Sequence, residues 1–293
     1  MKWGIVFAST AFPEPDRAVT MAQTAEEAGF ESLWCPEHVV VAVGDDVTPY
    51  GASVDGKMDR LWRRGGIPDP MVWLAFVASC TRTIKLGTNV VILPEHQPVV
   101  YAKTVATLDA LSRGRVRLGV GVGELPEEYA AVGMSFTDRG RRMDEYIEAM
   151  RALWTQEVAS YSGRHVQFAD VRCDPRPANG TVPIHIGGTS EAALRRAGRY
   201  GDGYFPWAPP GVDVVEVFPR LFEAVRVQAE QFGRDPDQIE LTGAGARTID
   251  QAERLAKAGA HRLVIAVRAK ETEAFRDELL TFGEEVIAPT RDL

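Results

Sequence analysis

Cysteine is scarce in this 293-residue chain: Cys35, Cys80 and Cys173 are the three, widely separated and without a Cys-x-x-Cys pair. An odd, scattered set argues against a disulfide framework and against structural zinc, and leaves reduced thiols of a cytoplasmic protein as the expectation. Long apolar runs are missing too; none approaches the roughly 20 residues that cross a bilayer. The opening Lys2-Trp3-Gly4-Ile5-Val6-Phe7 already reads as a strand, so no secretory leader is expected. Excess positive charge is absent: a formal charge of -8 and a pI near 5.3 argue against nucleic acid or an anionic membrane as the main partner.

What is present is alternation. Strand-like segments at 3–8, 31–35, 84–91, 115–123, 183–186, 203–206, 239–243 and 262–267 are interleaved with helical periodicity at 16–28, 70–80, 99–111, 137–154, 190–200, 212–232, 250–258 and 271–286. Eight such units in a chain of this length imply a (β/α)8 barrel in one domain, 1–293, rather than a doubly wound open sheet. Two interruptions stand out. Residues 39–69, rich in Gly, Asp and Pro, follow the second strand and have the length of a lid; 156–182 follow the fourth helix and carry a hairpin-like Tyr161-Ser162-Gly163-Arg164.

The most informative stretch is Arg115-Val116-Arg117-Leu118-Gly119-Val120-Gly121-Val122-Gly123-Glu124. It alternates large apolar residues with residues that become glycine toward its end, and it finishes on a carboxylate. Glycine weakens a strand, and close approach of a ligand or another backbone is a reason to keep it there. The Gly119-x-Gly121-x-Gly123 spacing lacks the dinucleotide fingerprint, and these glycines lie in the strand rather than in a turn into a helix.

Barrel chemistry sits at the carboxyl ends of the strands. Those ends read Pro36-Glu37-His38, Gly87-Thr88-Asn89-Val90, Gly121-Val122-Gly123-Glu124 and Gly187-Gly188-Thr189. His38, before the lid-length loop, is the candidate general acid/base, the alternative being a hydrogen-bonded structural histidine. His185 inside a strand and His261 on the opposite rim read as structural, while His96 lies on the correct rim. A metal held by Glu37, His38 and His96 would lack a His-x-x-x-His spacing, and no metal is expected. Gly187-Gly188-Thr189-Ser190 opens a helix, which makes either an anion site or a tight turn capped by Thr189 or Ser190. Asp202-Gly203 reads as a structural turn. Arg63, Arg64, Arg141 and Arg142 read as solvated surface or as partners for an acidic cofactor tail.

At these residues the chain resembles the bacterial-luciferase-like family of flavin and deazaflavin oxidoreductases. The resemblance rests on Ala28-Gly29-Phe30-Glu31-Ser32, Glu37-His38, Ile84-Lys85-Leu86-Gly87-Thr88-Asn89-Val90 and Leu111-Ser112-Arg113-Gly114-Arg115. It continues through the glycine strand, Arg151-Ala152-Leu153-Trp154 and Arg195-Arg196-Ala197-Gly198-Arg199-Tyr200-Gly201-Asp202-Gly203. It implies a tricyclic ring in the barrel mouth, seated on a bulge near Asn89-Val90 that in the family often contains a non-proline cis peptide. It implies a cofactor phosphate at Gly187-Gly188-Thr189, and a homodimer. Glu37-His38 with Glu124 is similar to the branch that uses coenzyme F420, with FMN as the alternative cofactor. The expected activity is hydride transfer, with His38 and Glu124 catalytic. Glu37, His38, Thr88, Asn89, Val90, Gly121, Gly123, Glu124, Gly187, Gly188 and Thr189 are the expected cofactor contacts. An FMN-dependent monooxygenase and a non-catalytic cofactor-binding barrel are the competing readings. Sugar-phosphate-oxidising relatives carry a tryptophan shortly after the histidine, where this chain has Val39-Val40-Val41-Ala42; together with Tyr50 and Trp62 this points to a less polar substrate.

Overall fold

Short β-branched and aromatic segments bounded by glycine and proline close into a parallel barrel in the computed structural model, which describes residues 1–42, 66–208 and 211–293. The expected lid segment falls mostly outside these residues, as do Tyr50, Trp62, Arg63 and Arg64. The strands are β1 (Lys2–Val6), β2 (Ser32–Cys35), β3 (Lys85–Thr88), β4 (Val91–Ile92), β5 (Val116–Gly121), β6 (Ala159–Ser162), β7 (Gln167–Val171), β8 (Ile184–Gly187), β9 (Gly203–Phe205), β10 (Glu240–Ala244) and β11 (Arg262–Ile265). Among the described residues β1, β2, β3, β5, β8, β9, β10 and β11 form the ring, each paired in parallel with its neighbours, and the β3–β5 and β1–β11 ladders close it. This is the expected (β/α)8 architecture. β6 and β7 form a separate antiparallel hairpin in the second interruption, at the place the turn-like Ser162-Gly163 indicated.

The helices obey local signals. Pro15–Glu27 and Pro70–Ala78 both begin on proline, and the Asp69 carboxylate accepts the Val72 N–H at 2.8 Å to cap the second. Ile249–Lys257 opens with a capping box between Thr248 and Gln251. Local departures occur, among them a short helix at Ala8–Ala11 where the first strand was expected to end. A helix at Pro126–Ala131 follows the glycine strand directly. The expected helix 271–286 is Thr272–Phe282 with a π turn, Gly283–Ile287, appended. The expected strand 84–91 is split into β3 and β4.

That split shapes the mouth. Gly87 pairs with Arg117, yet Val91 pairs with Val120, so four steps along one strand match three along the other. The extra residue is a bulge. The Asn89–Val90 peptide within it is cis, at the position implied by the family resemblance.

The glycines of β5 receive this bulge. A Cβ on Gly119 would collide with the Thr88 carbonyl, one on Gly121 would lie 2.6 Å from Val90 Cγ2, and one on Gly123 would lie 2.7 Å from Ile92 Cγ2. Gly187 in β8 makes the same room, 2.6 Å from Val90 Cγ1. The bare face thus accommodates protein: Val90 is a knob seated between Gly121 and Gly187.

The opposite end of the barrel is closed by charge. Arg262 is fully buried and donates to both carboxylate oxygens of Glu31 at 2.8 and 3.0 Å and to Glu240 at 2.9 Å. Its guanidinium carbon lies 5.3 Å from the centre of the Trp34 ring. Burial disfavours ionised Glu31 and Glu240, but Arg262 outweighs it and both are held below the usual carboxylate range. His185 is buried beside this pair; burial and the neighbouring Arg262 push it down to about 3, so it is a neutral core residue, in line with its structural reading. His261 on the same rim accepts the Leu241 N–H at 3.1 Å.

Candidate active site

The carboxyl-terminal rim brings together segments that are far apart in sequence. His38, at the end of β2, is almost completely buried, and its Nδ1 lies 2.7 Å from Glu128 Oε2. Glu128 belongs to the helix Pro126–Ala131, so this contact joins the loop after β2 to the loop after β5 across the end of β3. Glu128 Oε1 also accepts the Val39 N–H at 2.6 Å. The exposed Glu124 stands four residues before Glu128, on a turn that Gly123 makes with φ +63°. Two side chains fix that turn: Tyr129 donates to the Val122 carbonyl at 2.6 Å, and Arg139 donates to the Gly123 carbonyl at 3.3 Å.

Glu37 is buried and faces the protein. Its Oε2 accepts the Ile92 N–H at 2.7 Å, and both oxygens lie 3.0 Å from His96 Nε2. The candidate trio Glu37, His38 and His96 therefore divides into two separate pairs, Glu37–His96 and Glu128–His38. Glu37 anchors the strand just beyond the bulge. Thr88 is likewise engaged: its hydroxyl donates to the Gly119 carbonyl at 2.7 Å and accepts the Gly119 N–H at 2.9 Å. Asn89 and Val90 form the bulge itself.

Gly187 ends β8, and Gly188 turns the chain with φ +95° into the helix Glu191–Tyr200. Gly188, Thr189 and Ser190 are exposed. The Ser190 side chain caps the helix by accepting the Ala193 N–H at 3.3 Å, so Ser190 rather than Thr189 is the cap. A capped, glycine-preceded helix start exposed on the rim retains the first-turn donors and dipole that suit an anion. Arg142, left open as surface or cofactor partner, is buried and bonded to Asp138 at 2.6 Å and to the Pro94 carbonyl at 3.2 Å. Asp202 pairs with Arg151 at 2.7 Å and accepts the Ile184 N–H at 2.9 Å, a structural role.

On this rim, two buried acids escaped the sequence reading. Glu128 could have been suspected from Leu125-Pro126-Glu127-Glu128, a proline helix start directly after the glycine strand. Glu95 carries no local signal. It is 6% exposed, neither oxygen has a hydrogen-bond partner among the described residues, and burial, with the charges of Glu128 and Glu37, pushes its carboxyl up to about 8. At neutral pH it is therefore a neutral acid.

The consequence for stability has a definite sign. Between the unfolded value of 4.5 and about 8 the folded protein holds a proton on Glu95 that the unfolded chain has lost, so this group lowers stability as pH rises through that window and adds no further loss above it. Glu95→Gln should match the native protein near pH 4 and exceed it by up to about 5 kcal/mol at pH 9. Urea unfolding at the two pH values measures this; equal stability of both proteins at pH 9 would refute it.

A barrel whose carboxyl-terminal rim joins an ordered histidine, an exposed acid and an anion-suited helix start has the layout of a (β/α)8 enzyme. A family model described as luciferase-like monooxygenase matches residues 2–289. An uncharacterized protein of Mycobacterium tuberculosis is 35% identical over 221 residues, 74% of this chain and 75% of the relative. An F420-dependent glucose-6-phosphate dehydrogenase of Kineococcus radiotolerans is 31% identical over 234 residues, 78% of this chain and 62% of the relative. The solved F420-dependent secondary alcohol dehydrogenase in complex with an F420-acetone adduct shares the fold, with a TM-score of 0.78 at 18% identity over 99% of both chains. The chain belongs to the luciferase-like monooxygenase family, and it is an oxidoreductase.

Proposed function

We propose that the protein is an F420-dependent oxidoreductase that moves a hydride between the deazaflavin and a small, largely apolar organic molecule. The observation that carries the reading is the Glu128–His38 contact, which sets an ordered acid/base histidine beside the loop that carries Glu124. The relative named as F420-dependent supports the choice of cofactor.

The rim fits such a group. The exposed turn at Gly188, Thr189 and Ser190 would hold its phosphate, and the bulge at Asn89 and Val90, backed by Gly121, Gly123 and Gly187, would seat its ring. Bound there, the deazaflavin supplies a carbon that accepts or returns a hydride. His38 takes the proton of a substrate hydroxyl, or returns it in the reverse direction. Glu124, the exposed acid at the tip of the glycine strand, is assigned to the ring nitrogen whose charge changes on reduction. Val39 and Val40 are 45% and 43% exposed just after His38, and Trp207, 40% exposed, meets the Phe7 ring edge-on at 5.4 Å. These surfaces favour an uncharged substrate over a sugar phosphate.

Titration of the purified protein with F420 and with FMN is the test. Fluorescence changes saturating with F420 are expected; binding of FMN alone would replace this reading with an FMN-dependent monooxygenase, in keeping with the luciferase-like monooxygenase description of the family model. Turnover with F420 should favour secondary alcohols or ketones over glucose 6-phosphate.

A further inference from the structure

Glu128 makes more contacts than a loop anchor needs. It is 1% exposed, and it uses both oxygens: one on His38 Nδ1 at 2.7 Å, the other on the Val39 N–H at 2.6 Å with a longer reach to the Val40 N–H at 3.4 Å. Its partners lie about 90 positions away, on another strand end. A carboxylate has no proton to give, so His38 must carry its proton on Nδ1 to complete the bond. Nε2 is then the basic nitrogen. The second bond, to Val39, fixes the carboxylate plane and with it the angle of the imidazole. The neighbouring Glu95 is neutral at pH 7, so Glu128 faces no like charge from that side.

We propose that Glu128 is a positioning residue of the hydride-transfer reaction: it holds His38 in the Nδ1–H form, directs Nε2 toward the substrate and stabilises the imidazolium formed there. This rests on the F420 reading above. In the oxidative direction the substrate O–H bond breaks, its proton forms the Nε2–H bond and its electron pair becomes the C=O bond, while the hydride lost from the carbinol carbon would be taken up by the bound deazaflavin. His38 is then cationic between substrate and Glu128, the charge pattern a buried carboxylate favours.

Glu128→Gln tests the role with little change in shape. His38 Nδ1–H and Val39 N–H meet different carboxylate oxygens, and in glutamine one of those two positions becomes an N–H₂ donor. Nitrogen NMR of protein labelled at its five histidines, with the His38 signals assigned by loss in His38→Asn, should show the Nδ1–H form in the native protein. In Glu128→Gln the Nε2–H form should appear. Turnover should fall roughly 10- to 100-fold while KM and the F420 dissociation constant stay within about twofold, the split expected of a group that acts only in the proton transfer. Glu128→Asp should recover part of the Nδ1–H population.

A purely structural Glu128 would lower the melting temperature and leave the His38 tautomer and kcat unchanged; that outcome overturns the proposal. So does an Nε2–H form in the native protein. Failure of the native protein to bind F420 would instead overturn the cofactor reading, and the tautomer measurement separates the two.

Discussion

Arg262→Ala should destabilise the barrel by about 3–5 kcal/mol, because it leaves two acids in the barrel floor without the cation they were built around. Arg262 is fully buried, and its fork satisfies both oxygens of Glu31 while a further N–H reaches Glu240. These partners come from β10 and from the residue just before β2, so one guanidinium ties β11 to two separated parts of the ring. Removing it reverses the balance at Glu31, where burial then raises the acid, and leaves Glu240 with only the half-exposed Lys2 at 2.6 Å. The cation over Trp34 is lost as well, leaving a cavity against the ring. Chemical unfolding at pH 7 measures the loss. Arg262→Met combined with Glu31→Leu and Glu240→Leu should regain most of it, since an apolar replacement leaves no buried charge unpaired; Lys2, which loses its 2.6 Å pair with Glu240, is half exposed. A single Arg262→Ala variant within about 1 kcal/mol of the native protein would show that the network is not structural.

Arg262 also marks where sequence reasoning stops. The eight strands were legible because period-two runs such as β5 alternate residue by residue and are bounded by breakers, a signal that is wholly local. An arginine in a strand offers no such signal; its burial depends on acids brought by other strands. The same holds for Glu95, which looks like a surface carboxylate until the helix Arg139–Thr155 and the loop after β5 enclose it. His185 was read as structural because it lies within a strand, and it is buried there.

The glycine strand was recognised as a surface prepared for close approach, and the structure shows what approaches. Thr88, Val90 and Ile92 fill the space over Gly119, Gly121 and Gly123. The residue after Asn89 is valine, so no proline announced the cis peptide, and the resemblance alone located it. Glu37 was grouped with His38 because they are adjacent. Successive residues at a strand end point in different directions, and the two side chains consequently reach different partners, His96 and Glu128.

His38→Ala should lower F420-dependent turnover by roughly 10²–10⁴-fold, the range a single general acid/base contributes. Binding of F420 should change little, because the exposed helix start at Gly188, Thr189 and Ser190 and the bulge at Val90 are untouched. Alanine, however, leaves the buried Glu128 Oε2 without its partner at a cost of about 1–3 kcal/mol, so part of any loss could come from a loosened loop. His38→Asn separates the two effects. Its amide N–H₂ can donate to Glu128 much as Nδ1–H does, yet it has no basic nitrogen to take a proton. The asparagine variant should therefore recover the melting temperature lost in the alanine variant and remain as inactive. Recovery of activity together with stability would mean that His38 is an anchor. The proton would then pass through Glu124, the exposed acid at the tip of the glycine strand.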